Sequence, residues 1–349
     1  MKILMCGSKL NVKGGMVSVI KNYLSYDKWN EYEIKYIPTH VESNKLCVSI
    51  YFLFAYIKIL FLVIRKKVDV AYFHTAERGS FYRKAILVRL MHKFGVKTVM
   101  HHHAAEFEEF YDGLSEKKKN FVNKTLEMAT LNIVLSNRLI PMITDKAPNA
   151  NVKVLYNAVK VYDKNPYNKN AIEILFLGRL GKRKGTYDFL DAIKRIEDRL
   201  PDDIKVNLCG DGDVEEVSVR VKELKLENRI KHIGWIDSTK KAEIFSNTII
   251  NVLPSYNEGL PMTILETMAY GIPNISTSIA SIPEVIRNGE NGFLIQPGEI
   301  EKLGNYILDL CNNEQLRNEI SQISWREIKD NFALDVHIEQ VKKYLSDLK

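Results

Sequence analysis

Twelve short apolar runs alternate with longer amphipathic segments, and no other feature constrains the fold of this chain as strongly. In the first half the runs fall at 2–6, 32–37, 69–73, 96–101, 131–135 and 152–155. In the second they fall at 172–177, 204–209, 230–233, 248–252, 273–276 and 293–295. Segments with helical character occupy 15–26, 47–66, 80–93, 115–129, 137–145, 185–199, 214–226, 238–246, 261–270, 281–287, 299–311 and 313–329. Short buried strands separated by helices of this length point to parallel β-α-β units.

Six strands in each half predict an α/β chain of two Rossmann-like domains in series. At 349 residues the chain is long enough for two. A hydrophobic share of 46% and a charged share of 27% belong to a globular protein. The polar segment Val161–Asn170 holds Pro166 and lacks helical period, so it reads as a linker. The expected layout is a first domain over 1–160, a linker over 161–170, a second domain over 171–330 and a terminal segment over 331–349.

Charge and cysteine usage bound the environment. Residues 1–160 carry 25 Lys and Arg against 13 Asp and Glu, a net of +12, and residues 161–349 carry a net of −5. A basic half beside an acidic half implies that the first faces something anionic. No aromatic-basic ribonucleoprotein pattern and no zinc finger is present, so nucleic acid is not expected and an anionic membrane surface fits better. Cys6, Cys47, Cys209 and Cys311 are far apart with no CxxC pair, which fits a reducing cytosol rather than a disulfide or metal framework. The apolar start, Met1 to Gly7, is too short for a signal peptide and reads as a first strand.

Residues 46–64, LCVSIYFLFAYIKILFLVI, are nearly all apolar, with Lys58 inside and Arg65-Lys66-Lys67 behind. A spanning helix needs about 20 apolar residues, but one placed between two strands would tear the domain apart. Two readings stay open. One is an ordinary core helix. The other is a helix whose exposed side meets lipid or a lipid-linked acceptor, with its basic residues on phosphates.

Residues 254–271, PSYNEGLPMTILETMAYG, carry the most chemistry. Glu258 sits in a loop beside Gly259, Pro261 is expected at the first helical position, and Glu266 follows inside the helix. A helix N-terminus seats phosphate, and carboxylates accept hydrogen bonds from sugar hydroxyls. The pair suggests a nucleotide-sugar, although a Glu-Gly turn before a helix is common in itself. Upstream, Arg179 and Lys184 follow a buried strand, and an arginine fork with a lysine point charge suits a diphosphate. Gly14-Gly15 follows the first strand and opens a helix, where backbone could approach phosphate. Gly210-Asp211-Gly212 and Gly234-Trp235 end two further strands and could cradle base and ribose, or be plain turns. His101, His102 and His103 end another strand; alternation of side chains keeps the three from converging, so no metal site is expected. His74 could line an acceptor side or be structural. Asp237, Glu284 and Asn157 read as structural, with Glu284 placed to cap a helix start.

Several motifs together resemble the retaining family 4, or group 1, glycosyltransferases of GT-B fold. They are the E-x7-E pair Glu258 and Glu266, Phe176-Leu177-Gly178-Arg179-Leu180 with Lys184-Gly185, and Asn157-Ala158-Val159. Gly210-Asp211-Gly212, His232-Ile233-Gly234-Trp235, Ser281 to Ile286 and Asn288 to Leu294 follow in the family's order. The resemblance is dense over about 157–297 and thinner before it, where Gly14-Gly15 and His103 are the anchors.

The resemblance implies two parallel sheets facing across a cleft that holds a UDP- or GDP-linked sugar. It implies that Arg179 and Lys184 hold the diphosphate, that Glu266 meets the ribose, and that Glu258 and His103 meet the donor sugar. The family normally has Gly after that histidine, where this chain has Ala104. Amide groups of Gly259, Leu260, Met262 and Thr263 would face the donor, whereas Pro261 has none to give. No metal or other cofactor is implied, and the last helix, over 334–347, would return to the first domain. With the basic first half, this leads to a cytoplasmic enzyme at the inner face of a membrane. There it would pass sugar to a glycan or a polyprenyl-diphosphate-linked acceptor in capsule, exopolysaccharide or lipopolysaccharide assembly. A nucleotide-sugar epimerase of the same fold and a non-catalytic sugar-nucleotide-binding subunit are the alternatives.

Overall fold

All twelve apolar runs form strands, and every strand pairing among the described residues is parallel. The computed structural model describes residues 1–103 and 106–348. They divide into one unit of Met1–Asn157 with Asp335–Lys349 and a second of Ala158–Leu334.

The first unit runs β1 (Lys2–Ser8), α1 (Gly15–Ser25), β2 (Glu33–His40), α2 (Lys45–Ile64), β3 (Val70–Thr75), α3 (Gly79–Lys93) and β4 (Lys97–His102). It continues through α4 (Phe107–Asp112), α5 (Glu116–Met128), β5 (Leu131–Val134), α6 (Pro141–Thr144) and β6 (Val152–Val154). Its sheet has the order β2-β1-β3-β4-β5-β6. β3 is buried along its whole length and pairs with β1 through Ile3–Val70 and Met5–Tyr72. Strands covered on both faces are apolar throughout, which is why these runs lack polar alternation. Ile59, Phe73, Phe81, Leu87 and Met100 lie in one core cluster.

The second unit runs β7 (Glu173–Leu177), α7 (Thr186–Ile196), β8 (Lys205–Cys209), α8 (Val214–Glu223), β9 (Ile230–Gly234), α9 (Ser238–Asn247) and β10 (Thr248–Leu253). It continues with α10 (Met262–Ala269), β11 (Asn274–Thr277), β12 (Phe293–Ile295), α11 (Ile300–Asn312) and α12 (Glu314–Asn331). The order is β12-β11-β10-β7-β8-β9. From β7 the chain steps outward to β8 and β9, then restarts at β10 on the other side. β7 and β10 therefore flank the point where the winding reverses, outside whose carboxyl ends α/β sheets bind ligands. In the first unit the same reversal lies between β1 and β3.

The last helix, α13 (Leu334–Ser346), packs in the first unit from Asp335 onward. His337, Ile338, Val341 and Leu345 are all buried there. Its His337 Nδ1–H donates to the Tyr156 carbonyl at 2.8 Å, and Nε2 then accepts from the Tyr23 hydroxyl at 2.7 Å.

Several local expectations are corrected. The helix expected over 137–145 is instead a 3₁₀ turn, Asn137–Leu139, followed by the short α6 with Pro141 in its first turn, a position proline suits because its missing N–H would have no partner there. The helix expected over 281–287 is only a 3₁₀ turn at Ile282–Glu284, so Glu284 closes a turn rather than capping a helix. Pro261 is the N-cap of α10, one residue before the expected position. The segment 161–170, read as a linker, is fastened to the second unit. Asn165 Nδ2 donates to Ser321 Oγ at 2.9 Å, Tyr167 Oη to the Ile249 carbonyl at 3.0 Å, and Asn168 Nδ2 to the Ser246 carbonyl at 2.9 Å. The change of unit falls at Asn157–Ala158 instead.

Candidate active site

Arg179 and Lys184 leave the carboxyl end of β7 on either side of a tight turn. Leu180 anchors the turn in the core, and Gly181 begins it, its N–H donating to Thr186 Oγ1 at 2.8 Å. Lys182–Lys184 form one 3₁₀ turn, and Gly185 closes it at φ +73° before α7 starts. A Cβ on Gly185 would stand 2.1 Å from the Pro254 carbonyl, so only glycine lets the β7 and β10 loops touch here. The Tyr256 N–H donates to the Arg183 carbonyl at 2.9 Å, tying the same loops together.

That contact brings Lys184 to Glu258. The ammonium and carboxylate form an ion pair with 15% and 6% of their side chains exposed. Ser255 Oγ donates to the same carboxylate oxygen at 2.7 Å, and the Ser255 carbonyl accepts from Thr277 Oγ1 at 2.6 Å. A buried carboxylate is tolerated because both groups satisfy it. Arg179 is exposed and makes no ion pair among the described residues. A free guanidinium thus stands on the same loop as a lysine held by a carboxylate.

Gly259, Leu260 and Pro261 carry the chain from Glu258 into α10. The helix has no side-chain cap, so its first turn at Met262 and Thr263 offers amide groups and the positive end of the helix dipole. One turn on, Glu266 Oε2 accepts from Lys241 Nζ of α9 at 3.0 Å.

The loops after β8 and β9 complete this sheet edge. The Gly178 N–H donates to the Cys209 carbonyl at 2.9 Å, Leu180 N–H to Asp211 at 2.6 Å, and Gly210 N–H to Gly234 at 2.8 Å. A Cβ on Gly210 would fall 1.8 Å from the Gly178 carbonyl, so this crossing also requires glycine. Gly212 bridges Leu180, and Trp235, just past β9, is 54% exposed. Arg179, Lys184, Glu258, Asp211 and Trp235 all belong to loops at the carboxyl ends of four neighbouring strands, β10-β7-β8-β9. The edge offers cationic groups and free amides for phosphate, carboxylates for hydroxyls, and an aromatic face. Asp237 is structural, as expected, capping α9 through the Lys240 N–H at 2.8 Å.

The family model of the group 1 glycosyl transferases matches residues 140–325, more than half of the chain. The chain belongs to the group 1 glycosyl transferases. A Klebsiella pneumoniae protein described as an uncharacterized 41.2 kDa protein in the cps region is 28% identical over 319 residues, 84% of this chain and 86% of its own length. The lipopolysaccharide 1,6-galactosyltransferase of Salmonella typhimurium is 30% identical over 172 residues, 47% of each chain. Among solved structures, Anabaena HepE in complex with UDP shares 18% identity at a TM-score of 0.78, over 99% of this chain and 100% of that one. The glycosyltransferase therefore has the GT-B fold.

The first unit of this glycosyltransferase has candidates of its own. Gly14 caps α1, its carbonyl accepting from the Val17 and Ser18 N–H groups at 3.1 and 3.3 Å, and Gly15 begins the helix. The histidines divide by face. His102 Nε2–H donates to Asn132 Oδ1 at 3.1 Å on one side of β4. His101 and His103 lie on the other, their ring centroids 4.2 Å apart. The His103 N–H donates to the Thr75 carbonyl at 2.7 Å, and its Nε2 lies 2.9 Å from His74 Nδ1.

Alternation along one strand separates His102 from its neighbours but does not exclude His74, which arrives from the adjacent β3. His74, His101 and His103 present nitrogens within 4.8 Å of one another, close enough to share an ion. Burial, reinforced by neighbouring histidines, holds His74 and His101 well below the usual imidazole range. Burial lowers His103 to about 3 and His102 to about 4. All four are neutral at pH 7. Ala104 lies outside the described residues.

Lys241, Ser255 and the His74–His103 pairing escaped sequence reasoning. Ser255 is three residues before Glu258 and could have been suspected as its local partner. Lys241 comes from another element and leaves no local signal, and His74, noted at its strand end, gives no local sign that it meets His103.

Proposed function

We propose that the enzyme is a retaining, metal-independent hexosyltransferase. It takes a UDP- or GDP-linked sugar and delivers the sugar to a glycan or polyprenyl-diphosphate-linked acceptor in surface polysaccharide assembly. The observation that carries this reading is the Lys184–Glu258 pair beside an unpaired Arg179 at the β7/β10 reversal. Arg179 and Lys184 bind the diphosphate and stabilise it as it leaves. Glu258 then trades its lysine for a hydroxyl of the donor sugar, and Glu266 accepts from the ribose. The α10 amides face the phosphates, and Trp235 and the 210–212 loop border the nucleoside.

In this scheme the C1–O bond to the diphosphate breaks as the acceptor oxygen bonds to C1 on the same face. The departing phosphate oxygen takes the acceptor's proton, so no protein base is needed. Arg179, Lys184 and the α10 N-terminus supply the positive charge that a divalent ion would otherwise bring. The cps-region and lipopolysaccharide relatives support the polysaccharide context, and HepE with UDP supports a nucleotide donor. Four free cysteines suit a cytoplasmic enzyme.

The test is turnover of a panel of nucleotide-sugars with isolated surface glycans or lipid-linked oligosaccharides, reading the anomeric configuration by NMR. Transfer with retention, unaffected by EDTA and lost in Arg179→Ala, is expected. An inverted product, or full activity in Arg179→Ala, would overturn it.

A further inference from the structure

Leu46, Ile50, Phe54, Ile57, Phe61 and Ile64 of α2 stand in solvent, each between 47% and 70% exposed. At about 100° per residue they fall within a stripe about 80° wide along a helix of about 30 Å. The opposite side carries Ala55, Ile59, Leu62 and Val63, which are buried in the first unit's core. The helix is apolar enough to cross a bilayer, with a mean hydropathy of 2.4 over its best window, yet crossing would pull Ile59 and Leu62 out of that core.

Charge decides what covers the stripe. Lys58 and Arg65 fall along one edge, Lys45 lies at the start, and Lys66 and Lys67 follow the end. None of the five makes an ion pair among the described residues, and no acidic residue occurs between Lys45 and Lys67. The Arg65 guanidinium lies 3.7 Å over the Phe61 ring, joining cation and apolar stripe in one surface. A second copy docked face to face by twofold symmetry would set these cations against each other with no counter-charge. An anionic bilayer answers both halves: acyl chains take the apolar stripe, and headgroup phosphates take the cations.

We propose that the exposed face of α2 is a membrane-docking surface that lies in the headgroup region of an anionic bilayer. The inference stands on α2 and does not depend on the reaction assigned to the second unit.

The experiment is flotation of the full chain with phosphatidylcholine vesicles, with and without phosphatidylglycerol, at low and high salt. Flotation with the anionic vesicles at low salt and release at high salt are expected. Phe54→Glu/Phe61→Glu should lose flotation while melting at the same temperature. Lys66→Glu/Lys67→Glu, which leaves every apolar side chain in place, should bind anionic vesicles more weakly by about thirtyfold or more. Absence of flotation with anionic vesicles at low salt would overturn the proposal. So would a dimer in sedimentation that Phe54→Glu/Phe61→Glu dissociates, with neither protein binding vesicles. Nucleotide-induced thermal stabilisation, read on the same samples, reports the donor site separately.

Discussion

Lys184 and Glu258, 74 residues apart in sequence, form a nearly buried ion pair that ties the loop after β7 to the loop after β10. Arg179, five positions earlier, has no such partner among the described residues and points no charge at a carboxylate. The two cations therefore differ in what their removal does.

Arg179→Ala should leave stability unchanged, because it removes an exposed and unpaired group. Transfer should fall by about 10²- to 10³-fold, the usual effect of losing one charge-stabilising donor. Chemical denaturation alongside initial rates checks both. Lys184→Ala should also lose activity, but it strands Glu258 and should cost about 3 kcal/mol of stability. A Lys184→Ala protein as stable as the wild type would show that the pair is not maintained in solution.

Gly210→Ala and Gly185→Ala should each destabilise the second unit by about 3 kcal/mol or more. Each new methyl meets a carbonyl, 1.8 Å away at Gly178 or 2.1 Å away at Pro254. Urea unfolding midpoints measure this. Gly234→Ala is the control, since a Cβ there meets nothing within 4 Å and only its positive φ is strained.

Acid should weaken the first unit in a defined window. His102 is lowered from 6.5 to about 4 by burial, and His337 likewise to about 4. Above pH 6.5 both folded and unfolded chains hold them neutral and nothing is lost. As pH falls from 6.5 toward 4, the unfolded chain gains protons that the folded chain refuses, so stability drops by about 3 kcal/mol for each. Unfolding free energies measured between pH 7 and 4 should show this loss, and His102→Gln should flatten the slope.

Deleting residues 335–349 should loosen the first unit alone. It removes the buried His337, Ile338, Val341 and Leu345 and the bonds from His337 to Tyr23 and Tyr156. Calorimetry should show an earlier transition for that unit, while the second unit keeps its own transition and its response to nucleotide.

The strands were legible because parallel strands buried on both faces must be apolar, and each such run is bounded by polar turns. The placements of Arg179 and Glu258 in loops after strands, and of Glu266 inside the following helix, were legible because local sequence dictates them. What sequence left hidden depends on partners far along the chain. The linker reading of 161–170 failed because its polarity serves Ser321, Ile249 and Ser246, none of them local. α4 went unnoticed because a six-residue segment, FEEFYD, buries only Phe107 and Phe110 and shows no period. The histidine cluster was hidden because β3 and β4 are neighbours only in the folded sheet, where His74 is in register with His101.

The central claim is that the β7/β10 edge of the second unit binds a nucleotide-sugar through Arg179 without a metal. Thermal stabilisation of the full chain by a panel of nucleoside diphosphates and their sugars, with and without EDTA, tests it most directly. One nucleotide at a hundred times its dissociation constant should add about 2.7 kcal/mol, equally in EDTA, and the gain should vanish in Arg179→Ala. Stabilisation by none of them, or stabilisation that Arg179→Ala retains in full, would contradict the account.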